Sequence, residues 1–236
     1  MDKPDAPCKS IKYLIAVAIG WEVLAFLPVL LLYFAIERGQ NRPVSLEVRA
    51  FLIEVARLLA YAIAFFGIYI QGRIISHGDV RAGLGYQPIS QRPIVALMAI
   101  LMAALAVLWD IAVYEYNRDA VYRQLATDVS SPWLSLYKAF EIVLLTPLCE
   151  ELFFRGWLWT GLRKHWGALP TATLTGTAWF ALHLPVSGFA WLLAVAVILS
   201  VARHFGRSVR ASIPLHMLYN FIVLVSPRAL NAAGLL

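Results

Sequence analysis

The sequence predicts an all-α, polytopic membrane protein, and three observations predict this fold class. Of the 236 residues, 61% are hydrophobic and only 14% are charged, whereas about 25% of the residues of a typical soluble domain are charged. Several apolar runs approach or exceed the roughly 18–20 residues that cross a bilayer as one helix. The eight Trp and ten Tyr residues suit the aromatic belts of membrane interfaces.

About seven apolar segments are candidate transmembrane helices. They lie at about 12–36, 50–71, 94–114, 134–162, 168–184, 189–205 and 212–227. The first segment is too long for the core of a signal peptide, so we expect it to be a retained span. The stretch 71–93 between the second and third segments is punctuated by Gly and Pro and predicts a loop. The polar stretch 114–133 is expected to lie outside the membrane.

The basic residues predict a cytoplasmic N-terminus and a division of the chain into two parts. With that orientation, 11 Lys and Arg residues fall on the cytoplasmic side and 7 on the other, Arg57 and Arg155 being intramembrane. The net charge of +6 is scattered and forms no stripe, which disfavours nucleic acid as a partner. We expect three N-terminal helices with their loops in residues 1–130 and a second part in residues 131–236.

The fourth apolar segment carries the unusual stretch "CEELFFRG" at 149–156. An unpaired charge at mid-bilayer costs about 2.5–3.5 kcal/mol on insertion scales. Glu151 and Arg155 are spaced i, i+4, which allows them to neutralise each other. Glu150 is rotated by about 100° from Glu151 and lies outside that pair, and a lone intramembrane glutamate indicates a functional site. Pro147 is expected to bend the helix and make room for water beside Glu150.

Two further polar pairs stand at helical spacing in later apolar segments. Trp179 and His183 are spaced i, i+4 in "WFALH", and His216 and Asn220 are spaced i, i+4 in "HMLYN". If these helices converge on Glu150, they supply a general base, a second proton-transfer group and hydrogen-bond donors for an oxyanion. Attack of water on a peptide bond requires these groups.

The depth of the two histidines raises a difficulty. With both helices starting on the cytoplasmic side, His183 lies about 15 residues, or roughly 22 Å, along its helix, whereas His216 lies only a few residues along its own. They meet if the fifth segment is tilted, short or re-entrant.

In these three motifs the sequence resembles the CPBP family, the CAAX-protease and bacteriocin-processing proteins also called Abi. The family pattern is E-E-x-x-x-R, then an aromatic residue four positions before a His, then H-x-x-x-N, on successive helices. The chain has "EELFFR" at 150–155, "WFALH" at 179–183 and "HMLYN" at 216–220. The family usually has Phe where this chain has Trp179. The resemblance covers about 134–225.

The resemblance implies an intramembrane endopeptidase with assigned residue roles. Glu150 would activate the attacking water together with His183, and His216 and Asn220 would stabilise the tetrahedral oxyanion. Glu151, oriented by Arg155, would be structural support. Trp179 and Phe154 are expected to line the substrate cavity. The implied partners are a membrane-associated peptide or protein, lipidated or not, and the bilayer, and the expected location is a bacterial inner membrane.

The sequence allows either a metal-free site or a zinc site. Glu150, His183 and His216 can form a three-ligand zinc site with one open position. The chain has no H-E-x-x-H motif and offers no obvious further carboxylate as base if Glu150 binds the metal. We therefore expect no metal and no cofactor, with zinc as the alternative.

The alternative functions are a non-proteolytic membrane scaffold or regulator and a proton-coupled transporter. Chains of intramembrane Glu and His mark proton paths, but seven unequal segments do not show the corresponding halves of an inverted-repeat transporter. Outside the motifs, Glu54 and Arg57 are expected to neutralise each other. Glu141, nine residues before Glu150, is expected to face elsewhere unless Pro147 twists the helix axis.

Overall fold

Helices account for nearly all of the backbone in the computed structural model, which describes residues 10–38, 45–125, 132–183 and 189–232. These residues contain no β-strand. The helices are α1 (Ile11–Arg38), α2 (Leu46–Ile75), α3 (Val80–Gly83), α4 (Arg92–Leu125), α5 (132–162), α6 (Ala168–Ala181), α7 (Phe189–Gly206) and α8 (Val209–Ala232). Within α5, the segments Glu141–Leu145 and Glu151–Leu158 are π-helical turns in an otherwise α-helical rod.

The all-helical prediction is confirmed, because each of the seven predicted segments coincides with a helix. The main difference is α4, which continues to Leu125 and so includes part of the stretch predicted to be polar and extramembranous. Residues 126–131 of that stretch and the Pro185 region after α6 lie outside the described residues. The predicted loop at 71–93 begins later than expected, since α2 reaches Ile75, and it contains the single turn α3.

By length and composition, three of the described helices contain segments that can cross a membrane. These are Ile11–Ala35, Phe51–Ile75 and Arg92–Ala112, and two shorter apolar helical segments are Ala190–Gly206 and Val209–Val225. Helix α6 has 14 residues, about 21 Å, which is less than the roughly 30 Å of a hydrocarbon core. The number of seven crossings and the cytoplasmic N-terminus stay predictions.

Helix α5 lies at the centre of the helix packing. It contacts α2, α6 and α8, while α1 packs on α2, and α4 packs on α7 and α8. The core beside α5 is aromatic, with Trp157 and Trp179 fully buried. Helix α1 is largely exposed along one side: Val23 is 65% exposed and Leu31 is 60% exposed, as expected for side chains that face lipid.

The loop between α2 and α4 is fixed to the turn between α7 and α8. Val209 N–H donates to Gly85 O at 3.1 Å, and Ser90 N–H donates to Gly206 O at 2.9 Å. Gly85 has a φ of +58°, and a Cβ there would collide with the Arg203 guanidinium. The backbone conformation therefore favours glycine at this position, and any side chain there would also displace the Arg203 guanidinium.

Candidate active site

The irregular course of α5 follows from Pro147. Ahead of it the helix widens, and Thr146 N–H bonds to Glu141 O, five residues back. The next bond of that register would join residue 147 to Ile142 O, but proline has no N–H to donate. Asn220 Nδ2 from α8 donates to Ile142 O instead, at 2.8 Å. The side chain of Asn220 thus replaces a missing backbone bond.

The wide turn also changes which side chains of α5 share a face. Because a π turn takes more residues than an α turn, Glu141 is not carried to the far side of the helix from Glu150. Glu141, Thr146 and Glu150 line the same cavity. The expectation that Glu141 faces away from Glu150 is therefore wrong. The exception stated with it, a change of the helix next to Pro147, is what the structure has.

Glu151 and Arg155 form the predicted pair. Arg155 Nη1 donates to Glu151 Oε1 at 3.0 Å, and both side chains are completely inaccessible to solvent. The same carboxylate oxygen lies 3.2 Å from His216 Nδ1. Since an ionised carboxylate only accepts hydrogen bonds, His216 carries its hydrogen on Nδ1. One buried carboxylate therefore fixes both the arginine and the tautomer of the histidine.

Glu150 is the point at which three helices meet. His183 Nε2 lies 3.9 Å from Glu150 Oε1, and His216 Nε2 lies 3.9 Å from Glu150 Oε2. The side chain of Glu150 is 21% exposed and that of His183 is 29% exposed. A separation of 3.9 Å is too long for a direct hydrogen bond, but one water molecule bonded to both atoms spans it. The short α6 places His183 at its end, level with His216.

His183 has the same tautomer as His216. Its Nδ1 lies 2.9 Å from the carbonyl oxygen of Trp179, which can only accept, so Nδ1 carries a hydrogen, and in the neutral ring Nε2 then has the lone pair. In its neutral form, each of the two histidines thus presents a hydrogen-bond acceptor towards Glu150.

Trp179 has a role that the sequence interpretation did not foresee. Its indole Nε1–H donates to Glu150 Oε2. Its ring packs against His183 at a centroid distance of 4.3 Å and against His216 at 5.6 Å, and Arg155 Cζ lies 5.2 Å from its centroid. Trp179 is not among the residues that line the cavity beside Glu150, where it was expected. It lies behind Glu150 and orients it, which a Phe at this position cannot do by hydrogen bonding.

If the protein has the endopeptidase activity that its motifs imply, Trp179→Phe is expected to lower kcat by about tenfold to hundredfold with little change in KM. A hydrogen bond to a charged group contributes about 1.5–3 kcal/mol, and each 1.4 kcal/mol corresponds to a factor of ten. Steady-state hydrolysis by the purified protein measures the effect. Trp191→Phe is the matched control, because Trp191 packs on Trp109 outside the cavity lining. An unchanged kcat for Trp179→Phe contradicts the orienting role.

The cavity beside Glu150 has a volume of about 400 Å³. Its wall includes Phe154, Glu150 and His183, and the binding of a substrate beside Phe154 stays a prediction. Half of the wall comes from α1 and α2: Trp21, Ala25, Phe26, Val29, Arg57, Ala60, Tyr61 and Ala64. This contribution of the first two helices was not predicted, since apolar helices carry no motif that shows which side faces inward.

Four charged side chains form a group between α2 and the first turns of α5, and two of them, Arg57 and Glu141, line the cavity. Arg57 Nη1 is 3.5 Å from Glu54 Oε1, the predicted pair, and 3.6 Å from Glu141 Oε2. Lys138 Nζ is 3.9 Å from Glu54 Oε1. The two carboxylates and two cations balance in charge, which permits their partial burial in a membrane protein.

The three residues that a zinc ion would use do not fit that metal in this arrangement. Ligand atoms of a tetrahedral zinc with bonds of 2.0–2.1 Å lie about 3.3 Å apart, whereas both histidine nitrogens are 3.9 Å from the nearest Glu150 oxygen. One of these oxygens already accepts from Trp179. Among the described residues, no group of three His, Cys, Asp or Glu side chains is placed to hold a metal ion.

In a comparison with known proteins, the C-terminal part of the chain matches a family model. Residues 132–222 match the family model described as type II CAAX prenyl endopeptidase Rce1-like. The match begins with α5 and ends within α8, so it contains all three motifs, whereas α1 to α4 lie outside it. No curated protein and no solved structure matches the chain.

Proposed function

We propose that the protein is an integral membrane endopeptidase, in which water activated at Glu150 hydrolyses a membrane-associated peptide. Over residues 132–222 the chain belongs to the Rce1-like family of type II CAAX prenyl endopeptidases. The observation that carries the proposal is the convergence of Glu150, His183 and His216 from three helices at separations of 3.9 Å. Glu150 opens onto a cavity of about 400 Å³, large enough for part of a peptide.

The proposed reaction begins with a water molecule held between Glu150 and the histidines. Glu150 takes one hydrogen of this water as a general base, and the lone pair of His183 Nε2 accepts the other and aims the oxygen at the scissile carbonyl carbon. The water oxygen bonds to that carbon, and the carbonyl oxygen becomes an oxyanion. When the C–N bond breaks, the proton held by Glu150 passes to the leaving nitrogen, which departs as an amine.

The surrounding residues position the groups that react. Trp179 orients the Glu150 carboxylate, and Glu151 holds His216 through Nδ1. Asn220 donates one amide hydrogen to Ile142 O and so supports α5 at Pro147, and its second amide hydrogen can make the oxyanion contact that the motif resemblance implies. Positioned groups of this kind reduce the reorganisation that the transition state requires.

A prenylated peptide is the substrate class to test first. The family description supplies this expectation, and the apolar wall formed by Trp21, Phe26, Val29 and Phe153 suits an isoprenoid chain. The proposed location is a bacterial inner membrane.

The test is a cleavage assay with the full-length protein in lipid nanodiscs. The probe is an internally quenched peptide that ends in a farnesylated CAAX sequence, with the same peptide lacking the farnesyl group as the comparison. We expect cleavage of the farnesylated peptide after its modified cysteine, identified by mass spectrometry. If neither peptide is cleaved by the wild-type protein under conditions where it is folded, the proposal is wrong.

A further inference from the structure

Arg57 of α2 places a guanidinium in the wall of the cavity that contains Glu150. Its side chain is 47% exposed, whereas that of Glu141, a carboxylate in the same wall, is 6% exposed. The charge that a molecule in this part of the cavity meets first is therefore positive. A partly exposed cation beside an apolar cavity favours an anionic group on the ligand.

The guanidinium has donors left for such an anion. Among the described residues, its ion pairs with Glu54 and Glu141 both use Nη1, at 3.5 and 3.6 Å. Both distances exceed the roughly 2.7–2.9 Å of a strong charge-assisted hydrogen bond. A guanidinium has five N–H donors, so Nε and Nη2 remain to bind another carboxylate in the bidentate geometry that arginine favours.

The cavity extends along α2 and α5 from Arg57 to Glu150. Arg57 contacts Glu141, and one turn further along both helices Tyr61 is hydrogen-bonded to Thr146. Residue numbers thus rise in the same direction on the two helices. One face of α2 lines this part of the cavity: Arg57, Ala60, Tyr61 and Ala64. An extended peptide with its scissile bond at Glu150 therefore reaches Arg57 by following this face.

The distance between the two ends fits three residues of such a peptide. Glu141, the contact of Arg57, lies nine residues before Glu150, which is about 13 Å along a helix. Three extended residues span about 10 Å, and a hydrogen bond from arginine to carboxylate adds about 3 Å. A CAAX sequence ends three residues beyond its cysteine, so its terminal carboxylate reaches Arg57 when the bond after the cysteine lies at Glu150.

We propose that Arg57 binds the C-terminal carboxylate of the substrate and so selects peptides that end three residues beyond the scissile bond. The inference rests on the proposed endopeptidase function. It assigns a specificity-determining residue to α2, which lies outside the family match at 132–222. The group that Arg57 forms with Glu54, Glu141 and Lys138 is neutral overall, so the attraction for a carboxylate is local to the exposed guanidinium.

The first experiment compares a farnesylated CAAX peptide that ends in a free carboxylate with the same peptide as a C-terminal amide. The full-length protein is assayed in lipid nanodiscs, and the products are followed by liquid chromatography and mass spectrometry so that the tail carries no label. We expect kcat/KM to be about tenfold to hundredfold higher for the acid, as for a hydrogen bond to a charged group. The difference is expected mainly in KM, because the carboxylate is bound equally in the ground state and the transition state.

The length of the tail provides a second measurement. Peptide acids with two, three, four and five residues after the farnesylated cysteine are compared with their amides. Each residue moves the carboxylate by about 3.5 Å, so the acid-over-amide preference is expected to be largest at three residues. A preference that does not change with tail length contradicts a carboxylate site at a fixed distance from Glu150.

Variants of Arg57 assign the preference to this residue. Arg57→Gln is expected to reduce the preference for the acid to less than about threefold. Arg57→Lys keeps the charge but loses the planar fork and is expected to give an intermediate preference. Arg73→Gln, on the same helix but outside the cavity wall, is the matched control and is expected to keep the wild-type preference.

The outcomes distinguish this proposal from the proposed function. If the wild type cleaves acid and amide with kcat/KM values within about threefold of each other, the carboxylate site is overturned and the endopeptidase proposal stands. A preference that survives in Arg57→Gln also overturns the assignment; if this variant does not fold, an unchanged preference in Arg57→Lys does so. If the wild type cleaves none of the peptides, both proposals are overturned.

Discussion

Glu150→Gln is expected to lower kcat for peptide hydrolysis by about 10³-fold, within the 10²–10⁴ range of general acid–base catalysis. The amide has nearly the shape of the carboxylate but cannot take a proton from water. It can still accept the hydrogen bond from Trp179 that Glu150 Oε2 receives, and Glu150 is partly exposed to the cavity, so the folded structure is expected to persist.

The measurement is single-turnover cleavage of the farnesylated peptide, with thermal unfolding of the same samples. The adjacent glutamate provides a matched control: Glu151→Gln removes a buried ion-pair partner and is expected to lower stability. The same chemical change is therefore expected to abolish activity at Glu150 and to lower stability at Glu151. Full activity of Glu150→Gln contradicts the role of Glu150 as the base, and a cellular phenotype that depends on the protein but survives this substitution favours a scaffold function.

Arg155→Met is expected to destabilise the protein by about 3–5 kcal/mol, the typical cost of removing one partner of a buried ion pair. Arg155 and Glu151 are both fully buried, so the substitution leaves a carboxylate without its main counter-charge. The same variant also removes the guanidinium that lies against Trp179. The free energy of unfolding can be measured by SDS titration in mixed micelles.

The double variant Glu151→Gln, Arg155→Met tests the origin of that loss. Because it removes both charges, it is expected to be more stable than either single variant. Activity should stay low in the double variant, since Glu151 also holds His216. Arg73→Met, at an exposed position, is expected to change stability by less than about 0.5 kcal/mol. Equal stability of Arg155→Met and wild type contradicts a structural role for the pair.

The sequence was sufficient to predict the helices and the separation of Glu150 from its neighbours. Spacing of i, i+4 is a local property of a helix, so the Glu151–Arg155 pair could be read from the chain. Convergence of three motif-bearing helices followed from the family resemblance, and the shortness of α6, raised as one way for His183 and His216 to meet, is present in the structure.

Features that depend on side-chain direction or on a change of helix register could not be predicted in this way. The hydrogen bond from the Trp179 indole to Glu150 depends on how α5 packs against α6. The position of Glu141 depends on a π turn next to Pro147, where an ideal helix predicts the opposite face. Helix α1 is apolar on all sides, so its sequence does not show that Trp21 and Phe26 face the cavity.

The wide turns of α5 link the shape of the active site to the assembly of the bundle. Two of their carbonyl groups accept side chains of later helices, Ile142 from Asn220 and Arg155 from Arg203. The irregular backbone that presents Glu150 is therefore closed by α7 and α8 rather than by α5 itself. The active-site geometry and the packing of α5 on α7 and α8 are consequently lost together, as one cooperative unit. Protection of the α5 amides from hydrogen exchange should therefore disappear together with that of the α7 and α8 amides, without local opening confined to the reactive centre.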